Sequence, residues 1–401
     1  MAQLLLHNAS VILKDRIQSG GVLVEDGLIT LVFTSDQKPA GLSAAESLDL
    51  DGAYLSPGLI DIHIHGSTGV DVQATDSEGL ARIAAFLLGE GVTGYFPTFV
   101  PTDETGYRGS LAIIGSFVNQ SRNQQSPGAR ILGVHFEGPF VSEQRCGALR
   151  TKYFRTYDGD ARSIEVFTGT SGGLEAVGSR LMTLAPEIRG GLDLTRELTR
   201  SGVRVFIGHT QAEPDILDLA VEAGASHITH FPNALELLHH RKPGAVAWGL
   251  VQDNVTLDCI ADFQHVHPLM LKLMYESKKP EGMALISDAI MPAGLGDGDY
   301  SVWDEPIAVR NGRTTLSRHP GDNTIAGSVI TMRQALKNVI SLGVPIHEAV
   351  RMASSIPSRV AGVDGMHGSI EVGKRTDLIV FNEDFSVRMA TTRGLAVRMG
   401  D

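Results

Sequence analysis

Short apolar runs alternate with stretches of helical spacing through the middle of the chain. Eight apolar runs have the length of buried strands and end in polar residues, at positions 59–62, 94–98, 131–134, 181–184, 203–207, 227–229, 255–260 and 283–286. Helical stretches such as 78–89 and 214–223 lie between some of them. Alternating strands and helices are typical of a parallel sheet, and eight repeats predict an α/β fold with a (β/α)8 TIM-like barrel. A doubly wound open sheet would produce a similar pattern.

The two ends of the chain have a different, β-rich pattern. Residues 21–29 have the form of a strand, an Asp-Gly turn and a second strand, and residues 368–381 have a similar texture. Two unrelated β extensions would explain this pattern, but we favour one small β-sandwich built from both termini. We therefore expect residues 1–56 and 366–401 to form the β-sandwich and residues 57–365 to form the barrel.

Composition and charge favour a folded globular protein without a nucleic-acid or membrane partner. The 401 residues are 42% hydrophobic and 20% charged, which is ordinary for a folded globular protein. The net charge of −12 argues against a nucleic-acid partner, since binding to a phosphate backbone depends on Lys and Arg. No apolar run reaches the ~18 residues of a membrane span, and residues 1–14 lack the features of a signal peptide. Two cysteines, Cys146 and Cys259, are too few for a disulfide framework. We expect a cytoplasmic protein without a membrane partner.

Five of the eight apolar runs are followed by side chains that can bind a metal ion. These side chains are His63 and His65, Glu137, His209, His230 and Asp288. In a TIM barrel the carboxyl ends of all strands meet at one mouth, where the active site lies. Taken singly, each histidine could be structural and each acidic residue could cap a helix. Together, histidine nitrogens and carboxylate oxygens at five strand ends predict a site for Zn²⁺ or Fe²⁺.

Several motifs resemble a known enzyme family. Residues 56–66, Ser-Pro-Gly-Leu-Ile-Asp-Ile-His-Ile-His-Gly, resemble the first-strand signature of the amidohydrolase superfamily. The segments 135–140, 208–210, 229–234, 239–244 and 287–289 are similar to one branch of it, the N-acetylglucosamine-6-phosphate deacetylases. The most specific parts are the Glu-Gly-Pro motif at 137–139 and the Asn-Ala and Arg-x-Pro-Gly motifs between 233 and 244. The resemblance extends over nearly the whole chain.

The resemblance implies a metal-dependent hydrolase of amino-sugar catabolism. Its members hydrolyse the acetamide of N-acetyl-D-glucosamine 6-phosphate to D-glucosamine 6-phosphate and acetate. By that pattern Glu137, His209 and His230 would hold the main divalent metal, with zinc preferred over iron, manganese or cobalt. The presence of His63 and His65 leaves open the binding of a second ion, which Glu137 would bridge to the first.

Asp288 is the expected catalytic residue. It would take a proton from the attacking water and then pass it to the departing nitrogen, which must be protonated to leave as an amine. The strand-four segment, 181–187, contains no lysine of the kind that other superfamily members use as a metal bridge. This absence fits Glu137 in the bridging role.

The resemblance also implies a set of substrate-binding residues and a homodimer. The expected substrate contacts come from Ala148, Asn233, Ala234, Arg241, His265, Ile325, Ala326 and Gly327. The planar guanidinium of Arg241 suits phosphate oxygens, although an exposed ion pair would also explain it. His267 is a second candidate for the role of His265. In such a homodimer the phosphate site would be completed across the interface.

Two positions depart from the family pattern. Leu149 stands where the family usually has a histidine that contacts the sugar, and Pro232 stands where an aromatic residue is common. Leucine cannot donate a hydrogen bond to a sugar hydroxyl, and the loss of one polar contact costs about 1–3 kcal/mol. The alternative substrates are therefore N-acetylgalactosamine 6-phosphate or an unphosphorylated N-acetyl sugar. Cys146, in the same loop as Leu149, is either an exposed thiol or an inert small residue.

Overall fold

The computed structural model describes residues 3–37, 46–123, 127–169, 172–318, 321, 323–392 and 395–398. Its strands are β1 (Gln3–Ile12), β2 (Ile17–Glu25), β3 (Leu28–Thr34), β4 (Glu46–Asp49), β5 (Tyr54–Pro57), β6 (Leu59–Ile64), β7 (Gly66–Ser67), β8 (Val70–Asp71), β9 (Val92–Phe99), β10 (Arg130–Ile131), β11 (Gly133–Glu137), β12 (Ser179–Leu184), β13 (Arg204–Ile207), β14 (His227–Ile228), β15 (Thr256–Ile260), β16 (Met283–Ile286), β17 (Gly298–Val302), β18 (Glu305–Arg310), β19 (Arg313–Leu316), β20 (Leu378–Phe381), β21 (Val387–Thr392) and β22 (Leu395–Arg398).

The helices follow the strands of the central part of the chain. They are α1 (Ser77–Gly89), α2 (Glu104–Asn123), α3 (Glu165–Thr168), α4 (Gly191–Arg200), α5 (Pro214–Glu222), α6 (Gly244–Val251), α7 (Pro268–Lys278), α8 (Met332–Ser341), α9 (Ile346–Ala353) and α10 (Ser355–Val360). Among the residues described here, no helix is long and apolar enough to cross a membrane.

Eight parallel strand positions form the barrel. They run in the order β6, β9, β11, β12, β13, β14, β15 and β16, and β10 continues into β11 as one strand position. The ring closes where Ile64 bridges Ala289 in parallel and the amide of Asp288 donates to the carbonyl of His63 at 2.9 Å. Every predicted apolar run falls on one of these strands. The (β/α)8 TIM-like barrel is therefore confirmed, and the open sheet is excluded.

Burial on both faces explains why the barrel strands have continuous apolar runs. Every residue of β9, β11 and β16 is buried, as expected for parallel strands covered by helices on the outside and side chains within. Three of the buried polar side chains pair with each other. Nε2 of His135 lies 2.8 Å from Oγ1 of Thr183, which in turn lies 2.7 Å from Oγ1 of Thr229. Burial lowers the pKa of His135 well below its ordinary value, so this layer beneath the barrel mouth is neutral.

Both ends of the chain form one β-domain, as the sequence predicts. Its sheet runs in the order β22, β21, β20, β5, β1, β2 and β3, with β4 paired to β1 beside β5. The predicted Asp-Gly turn joins β2 to β3, with φ values of 50° at Asp26 and 78° at Gly27. The predicted extent of the β-sandwich includes residues 1–2, 38–45, 393–394 and 399–401, which lie outside the described residues. The exact division into 1–56, 57–365 and 366–401 stays a prediction.

An ion-pair network joins the barrel to the carboxyl-terminal part of the β-domain. The carboxylate of Asp377, just before β20, lies 3.0 Å from Nδ1 of His367 and 3.3 Å from Nε of Arg130. Burial alone would raise the pKa of Asp377, but His367 and Arg130 outweigh it and hold the pKa below its ordinary value. The Asp377 carbonyl also accepts a bond from the amide of Gly58, where the chain enters the barrel.

We expect Asp377→Asn to lower the stability of the protein by about 2 kcal/mol at neutral pH, because a buried charge-assisted pair is lost. A depressed carboxyl pKa stabilises the fold above the ordinary pKa of ~3.9, and this stabilisation is lost as the pH falls through the folded pKa. The melting temperatures of variant and wild type should therefore differ at pH 7 and converge below about pH 4. Asp15→Asn, at an exposed site of the same domain, is the control. An equal melting temperature of Asp377→Asn and wild type at pH 7 would contradict this role.

A three-stranded antiparallel sheet, β17 to β19, is inserted between β16 and α8. The sequence analysis did not predict this sheet. Its turn residues Trp303 and Asp304 both have positive φ, at 53° and 63°, as in a type I′ hairpin. The insertion follows the carboxyl end of the last barrel strand and therefore lies over the barrel mouth.

Candidate active site

Three of the predicted metal-binding side chains meet at the carboxyl ends of β11, β13 and β14. Nε2 of His209 lies 2.9 Å from Oε1 of Glu137, and Nε2 of His230 lies 3.1 Å from the same oxygen. The two Nε2 atoms are 3.0 Å apart. Ligands of a tetrahedral zinc at ~2.1 Å are separated by roughly 3.3 Å. All three side chains are buried, and their donor atoms have the spacing of one metal site.

A second group of the same kind lies beside the first. Nε2 of His63 and Nε2 of His65 are 3.2 Å apart, and they lie 3.4 Å and 3.2 Å from Oδ1 of Asp288. His63 and His65 point to the same side because alternate residues of a strand share a face. The carboxylate of Glu137 lies between the two groups, since its Oε2 is 3.3 Å from Nε2 of His65 while its Oε1 faces His209. The sequence-predicted ligands are therefore together, with Glu137 in the central position.

The electrostatics of the cluster favour a bound cation. Burial alone would lower the pKa of His65, but hydrogen bonds to Asp288 and Glu137 raise it to about 10. Burial likewise opposes the charged form of His230, and Glu137 raises its pKa to about 9. Burial would raise the pKa of Glu137, but His63, His209 and His230 hold it well below its ordinary value. A divalent metal can take the place of these imidazolium protons, so metal binding releases protons and strengthens as the pH rises.

Backbone carbonyls orient two of the four imidazole rings. Nδ1 of His65 lies 3.0 Å from the carbonyl of Thr98, and Nδ1 of His209 lies 2.8 Å from the carbonyl of Arg145. A proton held on Nδ1 by such a bond leaves the Nε2 lone pair free for a metal. The Nδ1 atoms of His63 and His230 are buried without a hydrogen-bond partner. For these two rings, only Nε2 has polar neighbours, and these neighbours are the other members of the cluster.

Three of the functional residues have a left-handed backbone at the end of a strand. The φ angle is 48° at His209, 35° at His230 and 49° at Asp288. Residues other than glycine adopt this conformation uncommonly, and such positions are concentrated at active sites. Here the chain turns sharply as it leaves the barrel, which keeps the three side chains over the barrel axis.

A buried pair supports His230 from below. Asp258, on β15, accepts hydrogen bonds from the backbone amide of His230 and, at 2.8 Å, from Nε2 of His227. Nδ1 of His227 lies 2.6 Å from Oγ1 of Thr256. Asp258 and His227 are fully buried, so these bonds have no competition from water. The sequence analysis did not single out either residue.

We expect Asp258→Ala to weaken metal binding about 10–100-fold, which is typical when a group that orients a metal ligand is removed. The variant leaves two buried donors unpaired, the backbone amide of His230 and Nε2 of His227. Titration of the metal-free protein with Zn²⁺ measures the effect. Cys259→Ala, at the next position of the same strand and equally buried, is the matched control and should bind like the wild type. An unchanged affinity of Asp258→Ala would show that His230 needs no such support.

The cluster forms the floor of a cavity that opens at the barrel mouth. Of the residues predicted to bind substrate, those that line this cavity are Ala148, Asn233, Ala234, His265, Ile325 and Gly327. Ala326 is buried in a separate apolar cluster under the inserted sheet. His265 is held by Asp262 at 2.7 Å, whereas His267 caps the start of α7.

Arg241 is not among the residues that line the cavity of this chain. It is exposed, and its guanidinium lies 2.9 Å from Nε2 of His240. Arg241 therefore does not line the cavity of its own chain, and its phosphate contact stays a prediction.

Cavity residues that the sequence analysis missed include Ile260 and Trp303. Ile260 ends an apolar strand and resembles any core residue in sequence. Trp303 belongs to the inserted sheet, whose position over the site is a tertiary feature with no local signal.

The comparisons with known proteins agree with this geometry. Residues 54–397 match the Amidohydrolase family. The N-acetylglucosamine-6-phosphate deacetylase of Bacillus subtilis is 32% identical over 98% of this chain and 96% of its own length. The N-acetylgalactosamine-6-phosphate deacetylase of Escherichia coli O157:H7 is 33% identical over 92% of this chain and 93% of its own.

The comparison with solved structures supports the same enzyme family. The structure of N-acetyl-D-glucosamine-6-phosphate deacetylase from Mycobacterium smegmatis in complex with N-acetyl-D-glucosamine 6-phosphate matches with a TM-score of 0.86. Its sequence is 28% identical, and the match covers 99% of each chain. The near-complete coverage includes the β-domain formed by both termini as well as the barrel. The chain therefore belongs to the amidohydrolase family and, within it, to the N-acetylglucosamine-6-phosphate deacetylase branch.

Proposed function

We propose that this protein hydrolyses the acetamide of N-acetyl-D-glucosamine 6-phosphate to D-glucosamine 6-phosphate and acetate. The observation that carries the proposal is the position of Glu137, whose carboxylate lies between the imidazoles of two buried groups of metal-binding side chains. These groups lie at the floor of a cavity that opens at the barrel mouth. Full-length relatives of the same branch act on amino-sugar phosphates.

The donor set supports a divalent metal, with zinc as the proposed ion. Two imidazole nitrogens and a carboxylate oxygen in each group are ligand types that zinc accepts. His209, His230 and Glu137 would hold one ion, while His63 and His65 would hold a second with Asp288 nearby. A bound metal supplies Lewis-acid polarisation of the amide carbonyl and lowers the pKa of water.

Asp288 moves the proton in the proposed reaction. Burial alone would raise the pKa of Asp288, but His63 and His65 outweigh it and lower the pKa below its ordinary value. The carboxylate is therefore ionised at neutral pH and can accept a proton from the attacking water. It then donates that proton to the amide nitrogen as the carbon–nitrogen bond breaks, because an amine leaves only when protonated.

A homodimer is part of the proposal. The segment before Arg241 exposes two large apolar side chains, Leu237 at 78% and Leu238 at 55%. A second copy of the chain would cover these leucines and bring Arg241 to the phosphate of its neighbour, while Asn233 and His265 would contact the substrate within the chain. We also propose a cytoplasmic location, which the two unpaired cysteines support.

A substrate panel tests the proposal. Metal-loaded enzyme is assayed for acetate release from four N-acetyl sugars: glucosamine and galactosamine derivatives, each with and without the 6-phosphate. We expect the highest kcat/KM for N-acetylglucosamine 6-phosphate and a large loss without phosphate. N-acetylgalactosamine 6-phosphate is the second candidate, because Leu149 at the cavity removes a polar contact to the sugar. Equal rates on phosphorylated and plain sugars would refute the proposed phosphate contacts.

A further inference from the structure

Trp303 occupies a backbone position that favours glycine. It is the first of the two residues between β17 and β18, with a φ of 53°, and Asp304 follows at 63°. Hairpin turns of this kind normally carry Asn or Gly, because a bulky side chain is unfavourable in the left-handed region. A tryptophan here is therefore held by its surroundings, and an outlier of this type indicates a functional constraint.

Three contacts hold the Trp303 side chain over the cluster of metal-binding side chains. Its Nε1 donates to Oδ2 of Asp71 at 2.7 Å. Its ring meets the ring of His65 edge to face, with centroids 5.2 Å apart and an interplanar angle of 83°. It also packs against the apolar cluster that contains Leu149 and Val141. Leu149, the residue that departs from the family pattern, thus belongs to the cluster that packs against the indole of Trp303.

Trp303 lies between two cavities. One is the active-site cavity, which it lines together with Glu137 and Asp288. The other is a second, more polar cavity lined by Asp71, Gln73, Thr102, Ser110 and Arg150 together with Trp303. Because the indole contributes to the wall of both, it forms part of the partition between them.

The second cavity and the residues expected to bind the sugar phosphate lie on different sides of Asp288. Asp71 and Thr102 follow the first and second barrel strands, β6 and β9, whereas Asn233 and His265 follow the sixth and seventh, β14 and β15. On one side of the ring, β16, the strand that Asp288 follows, separates these two pairs of strands. An amide that binds at Asp288 with its sugar toward Asn233 directs its acyl carbon chain the other way, toward Trp303.

We propose that Trp303 sets the length of the N-acyl group that the enzyme accepts. This inference rests on the proposed function, and the chemistry is unchanged: water adds to the acyl carbon, the carbon–nitrogen bond breaks, and the amine and carboxylate are released. With the indole in place, the cavity ends just beyond an acetyl group. Without the indole, the second cavity joins the first and holds a longer chain, such as a butanoyl group.

The test compares N-acetyl- and N-butanoyl-glucosamine 6-phosphate with wild type, Trp303→Gly and Trp303→Phe. Because each variant is compared with itself on two substrates, a general loss of activity through His65 cancels in the ratio of kcat/KM values. We expect the butanoyl-to-acetyl ratio to rise at least tenfold in Trp303→Gly. It should stay near the wild-type value in Trp303→Phe, which keeps a ring but loses the bond to Asp71. Glycine suits the φ of this turn, and Trp303→Asn, which also tolerates it, replaces Trp303→Gly if that variant does not fold.

The outcomes distinguish a failure of the acyl-length proposal from a failure of the proposed function. An unchanged butanoyl-to-acetyl ratio in a folded Trp303→Gly or Trp303→Asn overturns the proposal about acyl length. In that case, acetate release by the wild type still upholds the proposed function. An equal rise in Trp303→Phe shows that the Asp71 bond rather than ring size sets acyl length, which also overturns it. No acetate release by the wild type refutes the proposed function itself. Trp248→Phe is the matched control, because Trp248 is buried on α6 and bonded to Asp218 away from both cavities.

Discussion

Asp288→Asn should keep its metal and lose nearly all turnover, by about 10²–10⁴-fold in kcat. The asparagine side chain has the same shape as aspartate but cannot accept the proton of the attacking water or return it to the leaving nitrogen. Oδ1 of Asp288 lies 3.2 Å from Nε2 of His65, and an amide oxygen can take the same place. The loss should therefore appear in kcat much more than in KM.

Metal analysis and steady-state kinetics on the same preparation check this prediction. Asp253→Asn is the control, because Asp253 is exposed in the turn before β15, at the opposite end of the barrel. It should retain wild-type kcat. An Asp288→Asn variant that binds metal and turns over at a near-normal rate would remove Asp288 from the proton path.

Glu137→Gln should lose both metal and activity. Glu137 lies near all four imidazoles, with Oε1 close to His63, His209 and His230 and Oε2 close to His65. The neutral amide of glutamine removes the charge that attracts the cation. Because the loss of a residue that only orients a ligand costs about 10–100-fold in affinity, the loss of the central ligand should exceed that range.

Zinc titration of the metal-free variant measures the change, and acetate release measures its consequence. Glu143→Gln, at an exposed position in the segment that follows β11, should behave like the wild type in both. Wild-type zinc affinity in Glu137→Gln would contradict the central position that we assign to Glu137.

The sequence was sufficient to predict the barrel and to single out the histidine and acidic side chains that meet at its mouth. Buried parallel strands such as β9 and β16 need apolar residues at every position, so they stand out as continuous runs. Polar residues directly after such runs, including His209 and Asp288, are equally visible. Topology then brings them together, because all strands of the barrel point the same way.

Features that depend on tertiary contact could not be predicted in this way. Nothing local to Trp303 indicates that its hairpin folds back over the barrel mouth and reaches His65. Asp258 and His227 have the pattern of ordinary strand residues, and their support of His230 depends on the pairing of β14 with β15. The motif of Arg241 predicts a phosphate contact, but the position of Arg241 outside the cavity of its own chain is a tertiary feature with no local signal.

Acetate release from N-acetylglucosamine 6-phosphate, before and after metal removal, tests the central claim most directly. The purified protein is treated with a chelator, assayed, reloaded with Zn²⁺ and assayed again, with acetate and free amine both measured. We predict that the chelated protein is inactive and that reloading restores equal amounts of acetate and D-glucosamine 6-phosphate. Continued release by the metal-free protein, or no release after reloading with zinc, iron, manganese or cobalt, would contradict a metal-dependent deacetylase.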